Sequence, residues 1–199
     1  AVGISRIVQA STIAIYATPS GLPYQESAPA HPINAYSLSK KMAEDYLEML
    51  TRSADPSTIS LRFAAIYGYG EKGTPALMKF VNQAINKETI ILSGNPDYRI
   101  DQLYIRDAVS ACLAALTSSA QGVFNIGGGS ALSIVEIAET VNEVFDNPHN
   151  LRIETKSEPP MPHTVMALER ARQELGWQPA YDLRSGLEDF RKTRLASSC

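Results

Sequence analysis

The sequence predicts an α/β protein with a mainly parallel sheet, because strand-like segments alternate with segments of helical periodicity. Ile7–Ile13 is rich in β-branched residues, which is typical of a buried parallel strand. Ala35–Ser53 carries apolar residues at helical spacing, and Ser133 with Glu136 has the spacing of a helix capping box. These three observations predict one strand and two helices, and the segments between them complete the alternation.

The remaining elements follow the same signals in chain order. The predicted strands are Ile7–Ile13, Thr58–Phe63, Thr89–Leu92, Ile100–Ile105, Gly122–Ile126 and Leu151–Thr155. The predicted helices are Ala35–Ser53, Pro75–Asn86, Arg106–Thr117, Ser133–Phe145, Val165–Leu175 and Leu183–Arg194. Prolines mark 18–34 as a loop, and glycines mark 64–74 as another. In the first helix we expect one apolar stripe toward the core, formed by Leu38, Met42, Tyr46, Leu47 and Leu50.

Composition excludes several classes of partner. The chain has 199 residues and a net charge of −3. It has no cluster of Lys and Arg, so nucleic acid is not an expected partner. Its apolar stretches are too short for a bilayer, so no membrane is expected either. Cys112 and Cys199 lie far apart and imply no disulfide framework, which fits a cytoplasmic protein. His31, His149 and His163 are isolated, so we predict no metal site.

Tyr36, Lys40 and Thr12 form the most informative group of side chains. Residues four apart share one face of a helix, so Tyr36 and Lys40 point the same way. A lysine ammonium beside a phenol favours the phenolate, which lets the pair exchange a proton with a substrate hydroxyl. Thr12 ends the preceding strand and can orient the same oxygen. A lone Tyr-x-x-x-Lys also describes a solvated helix face, but its place after a strand and a proline-bounded loop favours a reactive site.

Several segments, in order, resemble one family, the extended short-chain dehydrogenases/reductases of the NAD-dependent epimerase/dehydratase group. The segments are Ala10–Tyr16, Tyr36–Lys40 with Glu44 following, Leu61–Gly68, Asp101–Asp107, Phe124–Gly127 with Ser133, and Leu175–Pro179. Each motif is short, but together they run nearly from end to end. The resemblance implies a partial NAD(P)-binding Rossmann-type doubly wound parallel sheet with a smaller C-terminal substrate lobe.

The resemblance also implies roles for individual residues. Tyr36 would be the catalytic acid/base, Lys40 its electrostatic partner, and Thr12 the orienting hydroxyl. NAD or NADP would be the cofactor, contacted by Ser11, Tyr36, Lys40, Phe63 and Ala65. The small-molecule substrate would contact Thr12, Arg99 and Tyr104. In this family the helix of Tyr36 and Lys40 commonly forms a dimer interface, so we expect a possible homodimer through it.

The family's Gly-x-x-Gly-x-x-Gly motif, which binds the cofactor pyrophosphate at a helix N-terminus, does not occur in the chain. Gly127–Gly129 lacks that spacing and is interpreted as a turn. We therefore expect that the first ~100 residues of the family fold are absent. Residues 1–68 would be the remnant of the dinucleotide-binding domain with the catalytic residues. Residues 69–199 would be mainly the substrate lobe, with one strand and helix returning to the first sheet.

Departures from the family pattern narrow the chemistry. Dehydratases carry an acid just after the catalytic Thr, because removal of water needs a further proton donor. Ile13 and Ala14 stand there, so a 4,6-dehydratase is disfavoured. Ile100 replaces the Arg that precedes the Asp-x-x-Tyr motif, although Arg99 is adjacent. Asp101 is a candidate substrate contact, and Asp107 is interpreted as a helix cap.

The expected function is NAD(P)-dependent oxidation or epimerisation at a secondary alcohol of a sugar, sugar nucleotide or related small molecule. The alternative is a catalytically inactive fragment, or a binding or scaffold protein of the same fold. The absent glycine motif favours the alternative, and the intact Thr12, Tyr36 and Lys40 favour the enzyme.

Overall fold

A computed structural model describes residues 3–16, 21–53, 56–70, 75–154 and 163–196. The α/β prediction is confirmed. The strands are β1 (Arg6–Thr12), β2 (Ser57–Phe63), β3 (Ala65–Tyr67), β4 (Ile90–Ser93), β5 (Arg99–Tyr104), β6 (Gly122–Ile126), β7 (Ala131–Ser133) and β8 (Leu151–Glu154). The α-helices are α1 (Ala35–Ser53), α2 (Ala76–Ile85), α3 (Ile105–Thr117), α4 (Ile134–Val144), α5 (Glu169–Leu175) and α6 (Leu183–Ala196). A 3-10 helix follows β1 at Ile13–Ile15.

The first sheet carries the candidate site. Its strand order is β1-β2-β6, and all three strands are parallel. Side chains alternate along β2, so Ile59, Leu61 and Phe63 face one side and pack in one apolar cluster with alanines of α3. Thr58 and Arg62 face the other side and bond to residues of α1. The sheet therefore lies between α1 and α3.

Helix α1 buries less of the predicted core stripe than expected: Leu47 and Leu50 are half-buried, and the other three residues are exposed. Leu38, Met42 and Tyr46 of the predicted core stripe are 48%, 62% and 58% exposed. The buried side of the helix instead carries Ser37 and Glu44. The prediction was wrong because the adjacent face of β1 and β2 is itself polar, so hydrogen bonds rather than apolar contacts attach the helix.

The second lobe has its own sheet and apolar cluster. β5 pairs with β3 in parallel and with β7 in antiparallel orientation, while β4 and β8 form a separate parallel pair. Helices α2, α4 and α6 pack around these strands, with Val81, Ile90, Val141, Leu187 and Phe190 among the buried residues of the cluster. Ser133 caps α4 through the predicted capping box with Glu136. The second lobe thus has a core separate from that of the first sheet.

Three local predictions differ from the structure. The glycine-rich segment 64–74 contains the short strand β3, and β7 was not predicted, because three residues are too few to show a period. The helix predicted from Val165 begins at Glu169. Val165–Leu168 is not helical because Tyr24 bonds to this segment: its amide donates to Val165 O at 2.9 Å, and its carbonyl accepts from the Ala167 amide at 3.0 Å.

The division at residue 68 stays a prediction. Tyr67 already belongs to the cluster of the second lobe, while α3, β6 and α5 return to the cluster of the first sheet.

None of the helices in the described ranges is long and apolar enough to cross a bilayer. Cys112 is a half-buried free thiol, and Cys199 lies outside the described residues.

Candidate active site

The carboxyl ends of β1 and β2 meet at one level. The parallel register sets Thr12 beside Phe63, the last residue of each strand. Thr12 is buried, and its Oγ1 accepts a hydrogen bond from the Ala14 amide at 3.2 Å. The hydroxyl thus caps the 3-10 helix that turns the chain away from the sheet. This places the predicted orienting hydroxyl at the edge where ligands of parallel sheets bind.

The start of α1 is fixed by a side-chain cap. Asn34 Oδ1 accepts from the Ser37 amide at 2.8 Å, and the Ser37 hydroxyl donates to Asn34 O at 3.1 Å. Asn is a favoured residue at this position because it satisfies an amide with no partner inside the helix. The cap determines that the helix begins at Ala35, which puts Tyr36 in its first turn.

Tyr36 and Lys40 lie together, as their spacing predicts. The Lys40 ammonium is 5.7 Å from the centroid of the Tyr36 ring. It also donates to Ala10 O at 2.8 Å, which is the carbonyl two residues before Thr12. Tyr36 is 55% exposed, so its hydroxyl is open to a ligand. The arrangement offers a phenol for proton exchange with a cation beside it, next to the end of β1.

A buried ion pair lies one helical turn beyond Lys40. Glu44 accepts from Arg62 at 3.0 Å (Nε to Oε1) and 2.7 Å (Nη2 to Oε2), and from the Ser11 hydroxyl at 2.6 Å. The side chains of Arg62 and Glu44 are only 5% and 3% exposed. Burial alone would lower the pKa of Arg62, but its bonds to Glu44 and its contact with Tyr16 raise it above the ordinary value. The guanidinium is therefore a permanent charge in the interior.

Arg62 also ties the loop after β1 to the sheet. Its Nη1 donates to the Tyr16 hydroxyl at 2.6 Å, and that hydroxyl donates to Asn125 Oδ1 on β6 at 2.8 Å. The Tyr16 ring stacks on Tyr24, with centroids 4.9 Å apart. Burial raises the pKa of Tyr16, although Arg62 acts in the opposite direction. The hydroxyl accordingly stays a neutral donor and acceptor.

Sequence reasoning noted Glu44 and Arg62 only as parts of family motifs and did not predict that they pair. Nothing in a single sequence joins two residues eighteen apart on different elements. The one available signal was Arg62, the single charged residue of the strand segment that became β2, because a buried charge requires a partner.

The predicted cofactor contacts lie at different depths. Phe63 is buried at the end of β2, and Ala65 is exposed two residues later. The Ser11 hydroxyl is bound to Glu44 on the α1 side of the sheet, so a cofactor contact by that hydroxyl would require this bond to break. Ala65 is open to the role predicted for it, whereas Phe63 packs in the apolar cluster of the first sheet and the Ser11 hydroxyl is bound to Glu44.

The two predicted substrate contacts in the second lobe are bound to protein groups. Arg99 donates to Ala131 O at 3.0 Å and pairs with Glu136 at 3.2 Å. Tyr104 is buried, donates to Asp189 at 2.7 Å, and has a pKa raised by burial. These placements do not support either substrate contact.

The neighbour of Arg99 faces a cavity. Ile100 lines a space of about 380 Å³ together with Lys79, Phe80 and Tyr98. Successive residues of a strand point to opposite sides of the sheet. Arg99 therefore does not replace the arginine that the family has at the position of Ile100.

Two aspartates of the same motif join separate segments. Asp101 is fully buried and accepts from the amides of Gly128 at 2.7 Å and Met166 at 3.0 Å. Burial raises its pKa to about 6, against the lowering effect of these backbone hydrogen bonds. It is therefore not exposed to a substrate.

Asp107 was predicted to cap a helix, but the residue at the N-cap of α3 is Tyr104. Asp107 lies in the first turn and accepts from the amides of Ala180 and Tyr181 at 2.9 and 3.0 Å. The prediction was wrong because a cap at Asp107 requires the helix to begin at residue 108, and α3 begins three residues earlier, at Ile105. Within the described residues, no group of three or more His, Cys, Asp or Glu could hold a metal ion.

Comparison with known proteins identifies the family of the chain. The sequence model of the NAD dependent epimerase/dehydratase family matches residues 1–127. The dTDP-4-dehydro-6-deoxyglucose reductase of Escherichia coli is 27% identical over 195 residues, which cover 96% of this chain and 62% of the reductase. The chain thus spans less than two thirds of that relative.

Solved structures agree with this assignment. The UDP-N-acetylglucosamine 4-epimerase from Bacillus cereus has a TM-score of 0.87 and 31% identity, covering 96% of this chain and 64% of that one. The UDP-glucose 4-epimerase from Thermotoga maritima, solved with UDP-glucose, has a TM-score of 0.86 and 26% identity, covering 99% and 65%. With the family match over residues 1–127, these similarities establish that the chain belongs to the NAD-dependent epimerase/dehydratase family.

Proposed function

We propose that this chain is the catalytic and substrate-binding part of an NAD(P)-dependent oxidoreductase or epimerase. Its substrate would be a secondary alcohol of a sugar, sugar nucleotide or related small molecule. The observation that carries the proposal is the exposed Tyr36 hydroxyl with the Lys40 ammonium 5.7 Å from its ring, at the carboxyl edge of a parallel sheet.

The residues at this edge suit the nicotinamide end of NAD or NADP. Lys40 and Tyr36 are polar and accessible, and Ala65 is an exposed apolar residue just after the buried Phe63 that ends β2. When bound, the cofactor supplies the acceptor and donor of a hydride. The residues expected to hold it are Lys40 and Tyr36, with Phe63 and Ala65 beside the ring.

The chain's own residues account for the proton. The Tyr36 oxygen takes the proton of the substrate hydroxyl as the alcohol becomes a ketone, and returns it in the reverse reaction. Tyr36 is a phenolate before it takes the proton and a neutral phenol until it returns it, and the Lys40 ammonium stabilises the phenolate. The Thr12 hydroxyl holds the substrate oxygen in line with Tyr36. An epimerase would use the same three groups twice, on the two faces of the carbon.

We further propose that the reaction is not a 4,6-dehydration. Ile13 and Ala14 follow Thr12 in the 3-10 helix and offer no proton donor for a departing hydroxyl. A hexose carried by a nucleoside diphosphate is the first substrate to test, because the Thermotoga maritima epimerase was solved with UDP-glucose.

The outer face of α1 supports a proposed homodimer. Leu38, Met42, Tyr46 and Met49 are 48–62% exposed and follow one another at helical spacing. A contiguous apolar stripe of this kind is typical of a helix that packs on a partner. A cytoplasmic location, expected from the cysteine content, stays a prediction.

Calorimetric titration of NAD and NADP tests the proposal. We expect weak binding to this chain and tight binding to a version extended by an upstream glycine-rich half, followed by alcohol-dependent reduction of the cofactor that Y36F abolishes. If neither version binds either cofactor, the proposal fails, and the binding or scaffold protein becomes the better hypothesis. Tight binding to the chain alone would show that the glycine-rich half is not needed.

A further inference from the structure

Lys40 and Glu44 are one turn apart on α1 and would ordinarily attract each other. Side chains at this spacing are neighbours on a helix, and an ammonium and a carboxylate there form ion pairs. Among the residues the structure describes, no ion pair joins these two. The Lys40 ammonium instead bonds to Ala10 O at 2.8 Å, beside Tyr36. Something must therefore hold the Glu44 carboxylate away.

Arg62, on β2, binds the Glu44 carboxylate from the side opposite to Lys40. Two of its nitrogens bond to the two oxygens of Glu44, in the bidentate geometry that fixes a carboxylate most firmly. Its third nitrogen donates to the Tyr16 hydroxyl at 2.6 Å and to Glu26 O at 3.3 Å. The Arg62 guanidinium is thus bound to Glu44 on one side and to Tyr16 and Glu26 on the other. It therefore cannot move with the Glu44 carboxylate toward Lys40.

We propose that Arg62 is a positioning residue that keeps Glu44 from pairing with Lys40, and so leaves the Lys40 charge free to act on Tyr36. The proposal rests on the function proposed above for Tyr36 and Lys40. A carboxylate beside the ammonium would offset its charge, and the phenolate of Tyr36 would lose stabilisation. Tyr36 has no other described cation near its ring, so the reaction depends on this one.

The ion pair is also poorly explained as a stabilising device. Two buried charges lose their hydration, and apolar residues of similar volume often serve stability as well or better. The location agrees with a role in the site: Ser11 and Arg62 are neighbours in the strand register, and the next pair along is Thr12 and Phe63. The bonds to Glu44 are therefore made one residue before the reactive edge.

Two matched variants separate the two explanations. R62Q and E44Q each remove one charge of the same buried pair and each leave an amide able to hydrogen bond. Only R62Q leaves a Glu44 carboxylate without the guanidinium, held by the Ser11 hydroxyl at one oxygen and free to turn toward Lys40 with the other. In a crystal structure of R62Q, we expect a Glu44 oxygen within about 4 Å of Lys40 Nζ, with the bond to Ala10 lost. An unchanged Lys40 in R62Q would overturn the proposal, whether or not the protein is active.

Kinetics give the second readout, on whichever form of the protein turns over substrate. We expect R62Q to lose about tenfold or more in kcat with little change in KM. The rise of kcat with pH should also occur at higher pH in R62Q than in the wild type. E44Q should lose less kcat despite a similar drop in melting temperature, and adding E44Q to R62Q should restore activity. Equal losses in R62Q and E44Q would show a merely structural role.

R62K keeps the result decisive if R62Q does not fold. A lysine retains the charge beside Glu44 but not the bidentate contact, so we expect lower stability with kcat near that of the wild type. A loss of kcat in R62K as large as that of an inactive Tyr36 variant would overturn the proposal. If the wild type itself shows no turnover, the proposed function fails, while the R62Q crystal structure still decides the role of Arg62.

Discussion

Asp101 makes the stability of the fold depend on pH in a direction opposite to that of most carboxylates. Its carboxyl is fully buried where β5, the loop after β6 and the segment of Met166 meet. Burial raises its pKa from 3.8 to about 6. The folded state therefore binds this proton more readily than the unfolded state does, and the group's contribution to stability falls as the pH rises from 3.8 to about 6.

The size of the effect follows from the same values. At about 1.4 kcal/mol for each pH unit, the difference corresponds to ~3 kcal/mol in the free energy of unfolding. D101N cannot ionise, so comparing it with the wild type cancels the other titrating groups. We expect the difference in the free energy of unfolding to move by ~2.4 kcal/mol in favour of D101N between pH 4 and pH 7, because part of the full effect lies below pH 4.

Urea denaturation of both proteins at several pH values measures this difference. At pH 4 the variant should be the less stable, because an amide offers one acceptor oxygen where the carboxyl group offers two. A difference that stays constant, or that moves in favour of the wild type as pH rises, would refute the reasoning. It would mean that the amides of Gly128 and Met166 stabilise the charged form more than burial penalises it.

Three further predictions concern other parts of the molecule. Y36F should abolish alcohol-dependent cofactor reduction at 340 nm, and an active Y36F would remove Tyr36 from the proposed mechanism. The same variant should change the free energy of unfolding by no more than ~0.5 kcal/mol, because this side chain is half exposed. G128A should lower the free energy of unfolding by ~2 kcal/mol or more in urea, because its Cβ would lie 2.2 Å from Gln102 O. The Cβ of G3A meets no atom within 4 Å, so this control should have no effect, and equal stability of the two variants would contradict the prediction. M42E should convert a dimer to a monomer in light scattering, and a wild type that is already monomeric would exclude the proposed interface.

The sequence predicted most clearly those elements whose signals are local. The β-branched run of β1 and the capping box of Ser133 and Glu136 each lie within a few residues and need no partner to be recognised. The same holds for the proximity of Tyr36 and Lys40, which helical spacing alone dictates.

What the sequence did not predict depends on contacts between distant segments. Nothing local shows that Tyr24 pairs with Met166, or that Asp107 accepts from the amides after Trp177. The predicted orientation of α1 was wrong for a related reason. The apolar stripe was assigned to the core, as is usual, but Glu44 had a partner on β2 that only the fold reveals.

The polar underside of α1 has a consequence for how the helix responds to temperature. Apolar contacts are non-directional and weaken on cooling, so a helix held by them can shift along its support. Helix α1 is instead attached by directional hydrogen bonds: Lys40 donates to Ala10 O, and Glu44 accepts from Ser11 and Arg62. A shift of one residue would break all of them together. Cooling should therefore loosen whatever packs on the outer face of α1 before it moves the tyrosine that the helix carries.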